Sequence, residues 1–165
     1  MSLSGFKFGK TQKQPDSGVR LLKSKFPSVV FEVGDLGSLG QLQMDARLWL
    51  RDMPEVSQCL TGPLFPLILL QVHLVVLLLI DPPLAPRPTL PRVLLQLWKP
   101  FLSQQQRDAQ MVWQADWTNA ATPLYILLSD VFGQQVPAAY GDIDHFNLNT
   151  ADLRDAIIDS YSLVL

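Results

Sequence analysis

Two carboxylates stand where this chain could do chemistry. Asp16 follows Pro15 in a Pro-Asp-Ser-Gly turn, and Glu32 lies inside the apolar run Val29-Val30-Phe31-Glu32-Val33. Residues of that type bury one or both faces of a strand, and a carboxylate among them is costly unless it is paired or binds a metal. Lys23 and Lys25 lie between the two acids, Asp35 follows the strand, and Asp45-Ala46-Arg47-Leu48-Trp49-Leu50 comes next. For Asp16 the plain alternative is a turn acid. For Glu32 it is a strand-end acid paired with Arg47 or a lysine, and for Asp35 a solvated loop acid in place of an accessory ligand.

Other chemistries find no support. His73 sits between Val72 and Leu74 as a packed strand residue, and His145 lies in an acidic surface turn. Neither shares metal-ligand spacing with Cys59. Ser28 and Ser38 lack a Gly-x-Ser-x-Gly setting, and there is no P-loop or dinucleotide fingerprint.

The elements that must position the acids follow from periodicity. Residues 28–34 read as a strand. Leu39, Leu42, Ala46, Trp49 and Leu50 recur at helical spacing, with Gln41, Asp45 and Arg51 elsewhere on the wheel, and Pro54 marks the helix end. The run from Leu64 to Ile80 is 17 residues long and uncharged. It reads as a loop or short helix followed by a buried strand over 72–80; a membrane-spanning helix is the alternative, at the short limit for one. Pro82 to Pro91 is an extended loop. Strands are expected at 92–98, with Val93, Leu95 and Leu97 inward, and at 110–117. Residues 125–128 read as a short strand or the start of a turn. Asn149 caps a C-terminal helix with Thr150 at N1, Asp152 at N3, a Leu148–Leu153 staple and an apolar face of Leu153, Ala156, Ile157 and Tyr161. Strand, helix, strand and then further strands make an α/β arrangement.

A chain of 165 residues is one domain with a real core. At 48% hydrophobic and 17% charged residues it is more apolar than an ordinary soluble domain, which points to a largely buried sheet or a hidden interface. The single cysteine excludes an internal disulfide framework and is consistent with a reducing intracellular compartment, cytoplasm or nucleus. The net charge of −2 hides an asymmetry: residues 1–25 carry Lys7, Lys10, Lys13, Arg20, Lys23 and Lys25 against Asp16 alone. Such an end could touch phosphates; the plainer expectation is a solvated arm. Residues 1–14 are polar without apolar periodicity and read as an irregular basic arm before a single domain over 15–165. No apolar core marks a signal peptide at the start.

The ordered set Pro15-Asp16, then Pro27-Ser28-Val29-Val30-Phe31-Glu32-Val33-Gly34, then Ser38, Leu42, Asp45-Ala46 and Trp49-Leu50, resembles the PD-(D/E)XK nuclease-like superfamily, and within it a group of fungal members. The match covers roughly residues 10–100. It implies a restriction-endonuclease-like mixed central sheet flanked by helices, and hydrolysis of nucleic-acid phosphodiesters by carboxylates that hold Mg²⁺. Asp16 and Glu32 match the two acids and would be the metal ligands. The motif's lysine falls at Gly34, so the resemblance requires its cation from Arg47 or Arg51 on the following helix, or from Lys23 or Lys25. An arginine stays protonated and substitutes poorly where a proton must be exchanged. The superfamily core places a helix, and often a strand, before the first acid, so against that pattern the chain looks truncated. The alternative function is a catalytically inactive relic that binds or assembles, with a second copy or another protein, through an exposed sheet edge.

Overall fold

A computed structural model of the chain describes residues 6–8, 11–21, 26–51, 72, 74–81, 91–102, 107–117, 123–132 and 136–162. Its centre is a five-stranded mixed sheet in the order β3-β4-β5-β6-β7. β3 (Ser17–Val19) runs antiparallel to β4 (Val29–Gly34), and β4 runs parallel to β5 (Leu74–Asp81). β6 (Arg92–Leu102) and β7 (Arg107–Asp116) continue it antiparallel. β4 and β5 are parallel, so the chain must cross over between them, and α1 (Leu39–Arg51) lies in that crossover.

Both faces of the sheet are covered, which explains the apolar composition. On one face Val30, Val75, Leu77, Leu79, Leu94 and Trp98 pack with Leu42, Ala46, Trp49 and Leu50 of α1. On the other, Val29, Leu74, Val76, Val93, Leu95 and Leu97 pack with Trp117 and with a second group of elements. These are the two-stranded pair β8 (Leu124–Leu127) and β9 (His145–Leu148) and the helices α2 (Leu128–Phe132) and α3 (Thr150–Ser162). The fold is mixed α/β. β5 is buried on both faces, as a central strand beside a parallel neighbour should be, so its residues form an unbroken apolar run. The second half of the uncharged run 64–80 is therefore strand; residues 64–71 lie outside the described residues. Among the described residues no helix is long and apolar enough to cross a membrane.

Several local expectations change. Residues 6–8 and 11–13, read as part of an irregular arm, form a hairpin of β1 (Phe6–Phe8) and β2 (Thr11–Lys13), a two-stranded sheet of its own. β6 buries Leu94, Gln96 and Trp98 as well as Val93, Leu95 and Leu97, because α1 covers its second face. Residues 124–127 are strand, and Leu128 opens α2.

The α3 cap is as expected: Asn149 Oδ1 accepts from the Asp152 amide at 3.2 Å, and Asn149 Nδ2 donates to Asp152 Oδ2 at 2.6 Å. Its docking side matches at Ile157 and differs elsewhere. Leu148, Leu153 and Ala156 are exposed, and the inward side is Thr150, Arg154 and Ile157 at i, i+4, i+7. Arg154 Nε donates to the Trp117 carbonyl at 2.7 Å, so a cation turns inward with a partner while its aliphatic stem packs.

Candidate functional site

Glu32 follows Phe31 on β4, and alternation turns it to the α1 side of the sheet, where it is only 3% exposed. β3 runs back along β4 with Ser17 opposite Phe31, which brings Asp16 to the level of Glu32. The Val33 amide donates to Asp16 Oδ2 at 2.8 Å, so the first acid is fixed on the backbone of the residue after the second. The two acids singled out in the sequence are brought together by one antiparallel register.

α1 supplies the rest of the site from a line of residues at i, i+4 and i+8. Gln41, Asp45 and Trp49 share one side of the helix. Trp49 is fully buried, and its Nε1 donates to Glu32 Oε1 at 2.6 Å, giving an indole N–H and a buried carboxylate the partners each requires. Asp45, expected off the packed stripe, is buried beside it. Gln41 Nε2 donates to Asp45 Oδ1 at 3.2 Å.

The cation comes from the hairpin. Lys13 Nζ on β2 donates to Asp45 Oδ2 at 2.7 Å and stands 3.5 Å from Glu32 Oε1. Its side chain is 20% exposed, so the pairing is partly shielded from water. Burial pushes the Glu32 carboxyl above its ordinary value of 4.5; the Trp49 hydrogen bond and the Lys13 charge pull it down, and the Asp16 and Asp45 charges push it up again. Glu32 and Asp45 thus share one ammonium, with Asp16 as a third acid beside Glu32. Asp16 Oδ1 and Glu32 Oε2 take no hydrogen bond from the described residues, whereas both oxygens of Asp45 are engaged.

The position two residues after Glu32 is closed by packing. A Cβ at Gly34 would stand 2.6 Å from Ser38 Oγ and 2.8 Å from Leu42 Cδ1. Ser38 cannot easily yield, because its Oγ donates to the Asp35 carbonyl at 2.8 Å and its amide to Asp35 Oδ1 at 2.7 Å. Asp35 is accordingly the acid that closes the turn into α1, and it is exposed.

The other candidate cations divide. Arg47 is exposed; two residues beyond Asp45, it lies about 200° round the helix and away from Glu32. Lys23 and Lys25 lie outside the described residues, as do His73 and Cys59. His145 is exposed on β9 and pairs with Asp144. Among the described residues no three His, Cys, Asp or Glu side chains cluster tightly enough to form a metal-holding group.

Sequence reasoning missed Lys13, Asp45, Gln41 and Trp49 as site residues. The helical three were within reach: an acid flanked at i−4 by an amide and at i+4 by a tryptophan whose N–H needs an acceptor lies along one helix line. Lys13 gave no such signal, since only the turn between β2 and β3 carries it back over α1. No protein-family model, no curated protein and no solved structure matches the chain.

Proposed function

We propose that the chain is a nuclease-like domain of the PD-(D/E)XK type, acting on the phosphodiesters of nucleic acid with Mg²⁺. The observation that carries this reading is the convergence of Asp16 and Glu32, with Asp16 held by the Val33 amide. The donor chemistry suits the ion. Asp16 and Glu32 each keep one hard oxygen unclaimed by the described residues, and Mg²⁺ is commonly held by one or two carboxylates with retained waters. The bound ion would polarise a phosphoryl oxygen and lower the pKa of a bound water. Lys13 takes the part of the motif's missing lysine: it brings a fixed positive charge to the acids from upstream of Asp16, where a phosphate would be attracted. Arg47, exposed on the far side of α1, drops out of that role.

The test is Mg²⁺- or Mn²⁺-dependent cleavage of single- and double-stranded DNA and RNA by the full chain, beside an Asp16→Ala/Glu32→Ala variant and Lys13→Met. Cleavage is expected in the unaltered chain and lost in both variants. Cleavage that survives the double substitution would refute the site.

A second reading is an inactive relic that binds or assembles. A specific observation favours it: Glu32 is nearly inaccessible and already tied to Trp49 and Lys13. Within the described sheet β7 is an edge strand, with Met111 and Val112 exposed, and a second copy or a protein partner could pair there. Absence of cleavage by demonstrably folded protein selects this reading.

A further inference from the structure

Lys13 contacts two acids unequally. Its ammonium lies 2.7 Å from Asp45 Oδ2 and 3.5 Å from Glu32 Oε1, so the stronger contact is to the acid with both oxygens engaged, and the weaker is to the acid with one oxygen unclaimed by the described residues. Each acid is also held independently of Lys13, Glu32 by Trp49 Nε1 and Asp45 by Gln41 Nε2. Among the described residues the strands of the hairpin that carries Lys13 form a sheet of their own with no ladder to the central sheet, so no such ladder opposes a small displacement of its end.

We infer that Lys13 and a divalent cation are alternative partners of Glu32, and that Asp45 is the positioning residue that takes up Lys13 when the cation arrives. The inference rests on the reading of Asp16 and Glu32 as cation ligands. Its physical reason is the cost of an unpaired charge in a partly buried site. A divalent ion at Glu32 repels the ammonium beside it. Without Asp45, Lys13 would have to give up its pairing or hold Glu32 against the ion. With Asp45 already at 2.7 Å, it can leave Glu32 while staying paired, and Trp49 keeps the Glu32 carboxylate in place. Asp45 therefore acts through Lys13 and need not touch the ion.

Charge alone makes part of the same prediction, since removing a positive group strengthens cation binding and removing a negative group weakens it. The discriminating measurement is a double-mutant cycle. Mn²⁺ binding to the full chain would be followed through the electron paramagnetic resonance signal of free Mn²⁺, for the unaltered protein, Lys13→Gln, Asp45→Asn, the double variant and Glu32→Gln. Lys13→Gln is expected to tighten binding at least about tenfold, a conservative fraction of the interaction between charges this close in a partly buried site. Asp45→Asn is expected to weaken binding when Lys13 is present and to have little effect in the Lys13→Gln background.

Equal weakening by Asp45→Asn in both backgrounds would overturn the inference, because Asp45 would then act through its charge alone. No tightening in Lys13→Gln would also overturn it. If neither the unaltered chain nor Lys13→Gln binds Mn²⁺ in a way that Glu32→Gln abolishes, the inference falls together with the metal-site reading. The expected cycle without any nucleic-acid cleavage would uphold the inference and sink the hydrolase. Circular dichroism checks the fold of each variant, with Lys13→Met as the second substitution if Lys13→Gln does not fold.

Discussion

At the scale of the residue, Glu32 shows what a buried acid does to its surroundings. It sits in an apolar strand because an indole N–H and an ammonium meet it there, and burial still raises its pKa. The sign of the consequence follows from proton linkage. The folded pKa lies above the ordinary 4.5, so between the two values the folded state holds a proton that the unfolded chain releases. Stability from this group is complete below the unfolded value and is lost as pH rises through the folded one. Urea unfolding from about pH 4.5 to pH 8 should therefore show stability falling with pH, and Glu32→Gln should flatten that part of the profile. An unchanged slope in the variant would mean that Glu32 keeps an ordinary pKa. The presence of an acid here was legible in the sequence, because a carboxylate between valines requires a partner. The partners were not, since Lys13 and Trp49 are 19 and 17 positions away and only the fold makes them neighbours.

At the scale of the element, the close approach of β4 to the start of α1 accounts for a glycine at position 34. Ser38, held to Asp35 in the turn before α1, and Leu42 on α1 come so close to Gly34 that an added side chain would force them to move. Gly34→Ala should destabilise the protein by about 1–3 kcal/mol, the usual range for overpacking. Gly40, where an added Cβ meets nothing within 4 Å, is the control. There an alanine should be stabilising by about 0.5–1 kcal/mol through helix propensity. Thermal melts of the two variants moving in opposite directions would support the account; equal small shifts would refute it. α1 was readable because its apolar residues keep helical spacing. The docking side of α3 was readable only in part: of its expected face Ile157 is buried, but Leu153 and Ala156 are exposed and Arg154 turns inward to the Trp117 carbonyl.

At the scale of the whole molecule, the hairpin belongs to the site. Removing residues 1–14 from a solvated arm would change little. Here it removes Lys13 and leaves Glu32 and Asp45 without their cation. The truncated chain should lose about 2–4 kcal/mol, somewhat less than a fully buried pair because Lys13 is 20% exposed. Denaturant midpoints for the full and shortened chains check this, and equal midpoints would return residues 1–14 to the role of an arm. The mixed sheet with both faces covered accounts at the same scale for the unbroken run of β5, whose amphipathic alternation vanishes because water reaches neither side.

By itself the sequence determined the strand of Glu32, the helix after it, the buried central strand and the cap of α3. Each is a local pattern of period, capping or apolar run that acts within about a dozen residues. It also placed Asp16 and Glu32 as the acids to watch, because their residue types are costly or unusual in their local settings. Only the tertiary structure decided that Asp16 rests on the Val33 amide, that Lys13 pairs with Glu32 and Asp45, and that Gly34 is crowded by Ser38 and Leu42. Those decisions concern charge and volume between segments distant in the chain. Their energies depend on distance and burial, which the fold sets and residue order alone does not.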